Sequence, residues 1–94
     1  MKEHRSKWID RVLQVEVIHK NQLADNDKWT LRDTARLLSR SLGKVSEDLM
    51  LAEWLKKDER LYRIRVIQDA LDYVRMKKHE EKLAGFSIAE KRLR

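Results

Sequence analysis

Apolar positions recur along this chain in the three-and-four rhythm of α-helices rather than the alternation of strands. From Ser6 to about Leu23 they are Trp8, Ile9, Val12, Leu13, Val15, Val17, Ile18 and Leu23, most of them on one broad helical face. Only the stretch Val15-Glu16-Val17-Ile18 also alternates like a short strand, which leaves the second half of this helix less sharply defined. The polar run Ala24-Asp25-Asn26-Asp27-Lys28-Trp29 breaks the pattern with residues that favour turns and caps. Thr30 then has the chemistry of an N-cap, and Asp33, three residues on, can answer it in a variant of the capping box. Leu31, Ala35 and Leu38 give the following helix its apolar side, while Arg32, Arg36 and Arg40, four apart, form a basic stripe on another.

A third helix carries Leu42, Val45, Leu49 and Ala52 at spacings of three and four, the mark of a buried stripe. Met50 and Trp54 lie on a different face, to meet another helix or another subunit. The charged run Lys56–Arg60 reads as a hinge. The last helix is expected over about 61–84. Ile64, Ile67, Leu71 and Val74 make one of its stripes, and Tyr62, Val66, Ala70 and Tyr73 lie beside them, so it can pack on two sides. Gly85 is its expected stop, followed by a short basic tail. The whole is predicted to be one all-α domain over residues 1–94, a small bundle of four to five helices. No internal repeat interrupts it.

Composition agrees with that reading. The 94 residues include no Pro, no Cys and two Gly, while 40% are charged and 41% hydrophobic. Chains so poor in helix breakers are helical. Without Cys there is no disulfide framework and no thiol chemistry. The longest purely apolar run, Leu49–Ala52, is far too short for a membrane span. The N-terminus has no apolar segment of the signal-peptide type, so the expectation is a soluble cytoplasmic protein without a membrane partner. Residues 1–29 and 30–58 each carry six Lys/Arg against five Asp/Glu, and residues 59–94 carry ten against six. The net charge of +6 favours an anionic partner such as nucleic acid, although a solvated basic face serves solubility as well.

Enzyme chemistry has little to stand on. His4, His19 and His79 are far apart, and no pair has metal-ligand spacing. His19 sits near the apolar face of the first helix, as a partly buried structural residue would. The run Ser41-Leu42-Gly43-Lys44-Val45-Ser46 contains Gly-Lys-x-Ser, but a phosphate-binding loop needs an earlier Gly, where Leu38 stands, and a Ser or Thr directly after Lys, where Val45 stands. No catalytic role, cofactor, metal or small-molecule substrate is expected. Trp8, Trp29 and Trp54 are expected to be core and staple residues.

The short break between the second and third helices is the informative feature. A helix-turn-helix needs a small residue at the crossing, apolar residues that lock the angle, and a cap on the second helix. Ala35, Leu38, Ser41, Val45, Leu49 and Ala52 fill those places in order. This run, about a quarter of the chain, resembles the helix-turn-helix of bacterial and phage DNA-binding proteins, and in particular that of ParB/KorB-type partition proteins. The resemblance implies a double-stranded-DNA-binding domain, with the motif over about 30–57 and the helix from about Leu42 to Lys57 as the recognition helix. It also implies use in transcriptional regulation or another phage- or plasmid-type DNA transaction, and a homo-oligomer, with a dimer favoured. Two departures stand out. Ser39 occupies the place where such motifs put Gly, and Glu47 and Asp48 bring acid into the early turns of the recognition helix. A rival reading runs the second helix on to Leu42, stops it at Gly43 and caps a new one with Ser46, giving a plain helical hairpin.

On the helix-turn-helix reading, geometry turns Leu42, Gly43, Lys44, Ser46, Glu47 and Met50 toward DNA. Lys44 and Ser46 are the candidates for base edges or nearby phosphates, and Glu47 for a cytosine amine. Arg36 and Arg40 are candidates for phosphate contacts, Ser41 caps the helix at the interface, and Lys57 belongs to a second basic cluster with Lys56, Arg60 and Arg63. The other class to weigh is a protein-interaction or oligomerisation module using Met50, Trp54 and the last helix. A third is the DNA-recognition part of a phage packaging assembly.

Overall fold

The computed structural model describes the backbone of residues 6–93 and the side chains of residues 6–83. In chain order the elements are α1 (Lys7–Asp25), α2 (Leu31–Leu38), α3 (Leu42–Lys57), a short 3-10 helix (Glu59–Arg63) and α4 (Ile67–Leu93). No strand occurs among the described residues, and the expected all-α bundle is what forms. The strand-like patch at 15–18 is helical throughout, because only Val15 of its alternating valines is buried and Val17 faces solvent.

α3 is the central element and touches every other one. It therefore buries much more than one stripe: Val45, Asp48, Leu51, Ala52, Trp54 and Leu55 are all buried. The main core joins Trp8, Ile9 and Val12 of α1 to Leu51, Trp54 and Leu55 of α3, Leu61 of the 3-10 helix, and Ala70, Leu71 and Val74 of α4. A second, smaller cluster sits under the α2–α3 corner, where Val15, Ala35 and Val45 are buried with Leu38 and Leu49 packed against them.

Local signals place the helix starts. Thr30 Oγ1 accepts from the Asp33 N–H while the Asp33 carboxylate accepts from the Thr30 N–H, the full capping box that the sequence suggests. Ser41 Oγ accepts from the Lys44 N–H at 3.1 Å and opens α3.

The region after α3 departs from expectation. The last helix does not begin near Leu61. Residues 59–63 form a separate 3-10 turn, opened by the Asp58 side chain accepting from the Arg60 N–H. The Ile64 carbonyl then receives hydrogen bonds from Trp8 Nε1 at 2.9 Å and from Ser6 Oγ at 3.2 Å. These bonds from the other end of the chain hold Ile64 extended, so α4 starts only at Ile67. Tyr73 donates its hydroxyl to Asp58 at 2.5 Å and ties the turn to α4. Tyr62 and Val66 precede α4 and are exposed, while Ala70 and Tyr73 of the one expected stripe join Ile67, Leu71 and Val74 of the other in the same core, so both stripes meet one core. Helical backbone also continues through Gly85, which is not a stop. Met50 is half-buried against the main core and Trp54 is buried in it, so these two residues are core rather than a docking face.

Candidate nucleic-acid interface

The corner between α2 and α3 is three residues long, Ser39 to Ser41. Ser39 adopts the left-handed conformation, φ 55° and ψ 40°, that the motif's usual glycine would take. Its N–H donates to the Arg36 carbonyl at 3.3 Å, and the Arg40 N–H donates to the Ala35 carbonyl at 2.9 Å. This is the paired bonding of a Schellman end, which satisfies carbonyls that a terminating helix leaves open. A non-glycine residue held there costs about 1–2 kcal/mol. The Val15–Ala35–Val45 cluster beneath the corner opposes that cost. The alternative hairpin, with a break at Gly43, does not form.

A buried charge fixes the corner from inside. Asp48 is 1% exposed and lies between two guanidiniums. Arg40 Nη2 stands 2.9 Å from its Oδ2, and Arg11 Nη2, from α1, stands 3.6 Å from its Oδ1. The contacts are ion pairs without good hydrogen-bond alignment: Asp48 Oδ2 and the Nε atoms of Arg11 and Arg40 are buried with no hydrogen-bond partner. Burial pushes the Asp48 carboxyl above its ordinary range, and Arg40 and then Arg11 draw it part of the way back. One acid thus joins α1, the turn and α3. Its sequence signal was position: Val45, Asp48, Ala52 and Leu55 follow one buried stripe, and an acid in such a stripe calls for a buried cation.

A second internal link holds α2 to α1. Trp29 Nε1 donates to the buried Thr34 hydroxyl at 2.7 Å. The same hydroxyl is hydrogen-bonded to His19 Nδ1, 2.6 Å away. His19 is the structural, partly buried residue expected, and Trp29 staples the start of α2.

These contacts sort the candidate residues. Arg36, Ser41, Lys44 and Ser46 are exposed around the corner and the first turns of α3, and Glu47 is half-exposed among them. Among the described residues neither Arg36 nor Lys44 enters a salt bridge. Arg40 is a correction: its guanidinium turns inward to Asp48 and is not displayed beside Arg36. Met50 is another, since it packs on the core and its sulfur receives Lys78 Nζ at 3.1 Å. Lys57 lies thirteen residues beyond Lys44, about 20 Å along the helix axis. It rests over the Trp54 ring at 5.1 Å and pairs with Glu53 at 3.8 Å. Its neighbours are likewise occupied, Lys56 by Glu16 at 2.8 Å and Arg60 by Asp58 at 3.0 Å. Leu42, read as the start of the buried stripe, is 41% exposed.

An open cleft of about 350 Å³ between α1 and α3 is lined by Glu16, His19, Lys20, Leu49, Glu53 and Lys56. Its most enclosed acid, Glu16, is already paired with Lys56 and Lys20. Among the described residues no cluster of three or more His, Asp or Glu is placed to hold a metal ion. No helix of the described residues is long and apolar enough to cross a membrane. No protein-family model matches the chain, and neither a curated protein nor a solved structure matches it.

Proposed function

We propose that this protein binds double-stranded DNA through the α2–α3 corner, with the first turns of α3 in the major groove. The observation that carries the reading is the corner itself. Ser39 is held left-handed by the Schellman bonds, and the Arg11–Asp48–Arg40 cluster anchors α3 from behind. A strained turn kept by internal contacts, with cations and hydroxyls left on the outer side, suits a helix that must be presented at a fixed angle. Lys44 and Ser46 supply donors for base edges or the phosphates beside them, and Arg36 supplies charge for a phosphate. Glu47 adds an acceptor suited to a cytosine amine. The protein acts as a dimer, each copy taking one half-site, in transcriptional control or another DNA transaction in the cytoplasm.

The test is fluorescence anisotropy with a mixed-sequence duplex, comparing wild type with Lys44→Ala and Arg36→Ala. Circular dichroism melts establish that each variant is folded. Each substitution is expected to weaken binding by about three- to thirtyfold with the melt unchanged, since each removes one charged contact. Wild-type affinity in both folded variants would remove this face from the interface.

A further inference from the structure

Two adjacent residues in the first turn of α3 leave an open apolar surface beside its exposed polar side chains. Leu42 is 41% exposed, an apolar side chain among exposed Ser41, Lys44 and Ser46. Gly43 follows it inside the helix with an ordinary negative φ, so no turn requires a glycine. A Cβ built there meets nothing within 4 Å, so no packing requires one either. Alanine would fit without a clash and would be a better helix former. A glycine at such a place leaves the backbone open to close approach by another molecule.

We infer that Leu42 and Gly43 together read the C5-methyl group of a pyrimidine in the major groove. The inference rests on the duplex-DNA reading above and adds the chemical group that is read. Of the four standard base edges in that groove, only thymine presents a methyl group, and apolar side chains recognise it by contact. Gly43 lets the helix backbone come close to the base edge, and Leu42 covers the methyl and removes it from water. The shared chemistry is the C5-methyl, which thymine and 5-methylcytosine both carry.

The experiment begins with the duplex that binds most tightly in a selection from a random pool. It is remade with deoxyuridine for every thymidine, and again with a 5-methylcytosine–guanine pair in place of each deoxyuridine–adenine pair. For wild type, loss of the thymine methyls is expected to weaken binding about fourfold per contacted group, from the transfer free energy of one buried methyl. Leu42→Ala is expected to bind the thymidine and deoxyuridine duplexes equally. Gly43→Ala is expected to melt at the same temperature as wild type or a few degrees higher, yet to bind on the order of tenfold more weakly. Recovery with 5-methylcytosine would identify methylated cytosine as a source of the group, and recovery with thymidine alone would identify thymine. Equal wild-type affinity for all three duplexes, or wild-type affinity in Gly43→Ala, would overturn the inference while leaving DNA binding intact. Failure to bind any duplex would instead overturn the reading on which it rests.

Discussion

Replacing Arg40 with alanine should damage the fold more than replacing the acid it faces. The Arg40–Asp48 separation of 2.9 Å and the Arg11–Asp48 separation of 3.6 Å give gross attractions of about 5 kcal/mol each at an effective dielectric of about 20. Desolvation of a carboxylate that is 1% exposed opposes most of that sum. Removing one partner of a fully buried pair costs about 3–5 kcal/mol. Arg40 is 25% exposed and Arg11 remains, so a lower figure applies, about 2–4 kcal/mol for Arg40→Ala. In Asp48→Asn the two guanidiniums, 25% and 41% exposed, can turn to water, and the expected loss is only about 1 kcal/mol. The double variant should then lie close to Asp48→Asn, with a coupling in the cycle as large as the Arg40→Ala loss itself, about 2–4 kcal/mol. Urea denaturation followed by circular dichroism at neutral pH measures all four proteins. Strict additivity, or a larger loss in Asp48→Asn than in Arg40→Ala, would refute the account of the corner. The same carboxyl sets a pH dependence. Because burial raises its folded-state pKa above 3.8, its contribution to stability is complete below that pH and is lost as pH rises through the raised value. Asp48→Asn lacks this dependence, so it should gain on wild type across that window.

Two further outcomes follow from local geometry. Ser39→Gly should raise stability by about 0.5–1 kcal/mol, the left-handed strain relieved less the extra chain entropy of glycine, and a fall would show that the serine side chain is needed at the corner. Asp58 behaves oppositely to Asp48: hydrogen bonds from Arg60 and then Tyr73 hold its carboxyl well below the ordinary range. Its stabilising share is therefore present above pH 3.8 and lost as pH falls through the depressed value, so Asp58→Asn should flatten the acid limb of the stability curve. An unchanged acid limb would show that the 3-10 turn is not held by this charge.

What was legible in the sequence was local. Thr30 with Asp33 and Ser41 with Lys44 depend on spacings within one turn, the packing of Ala35 against Val45 on a short reach across the corner, and all three are present. What was not legible depended on partners far away in the chain. The Ile64 carbonyl is held by Trp8 and Ser6, which no spacing near Ile64 announces, and α4 begins late as a result. Arg40 fits the spacing of a surface stripe with Arg32 and Arg36. Yet it lies beyond the end of α2, where the left-handed Ser39 redirects the chain and Asp48 offers a buried charge. Met50 looked outward because helical geometry alone cannot tell which faces of a central helix its neighbours will cover.

The most direct test of DNA binding is wild-type affinity for a mixed-sequence duplex across a salt series, read by anisotropy. With Arg36, Lys44 and their counterparts on a second copy neutralising phosphates, log K should fall linearly with log salt, with a slope of about −3 to −5. Absence of binding even at low ionic strength, or an affinity indifferent to salt, would contradict the proposal and leave the α2–α3 corner as a packing turn.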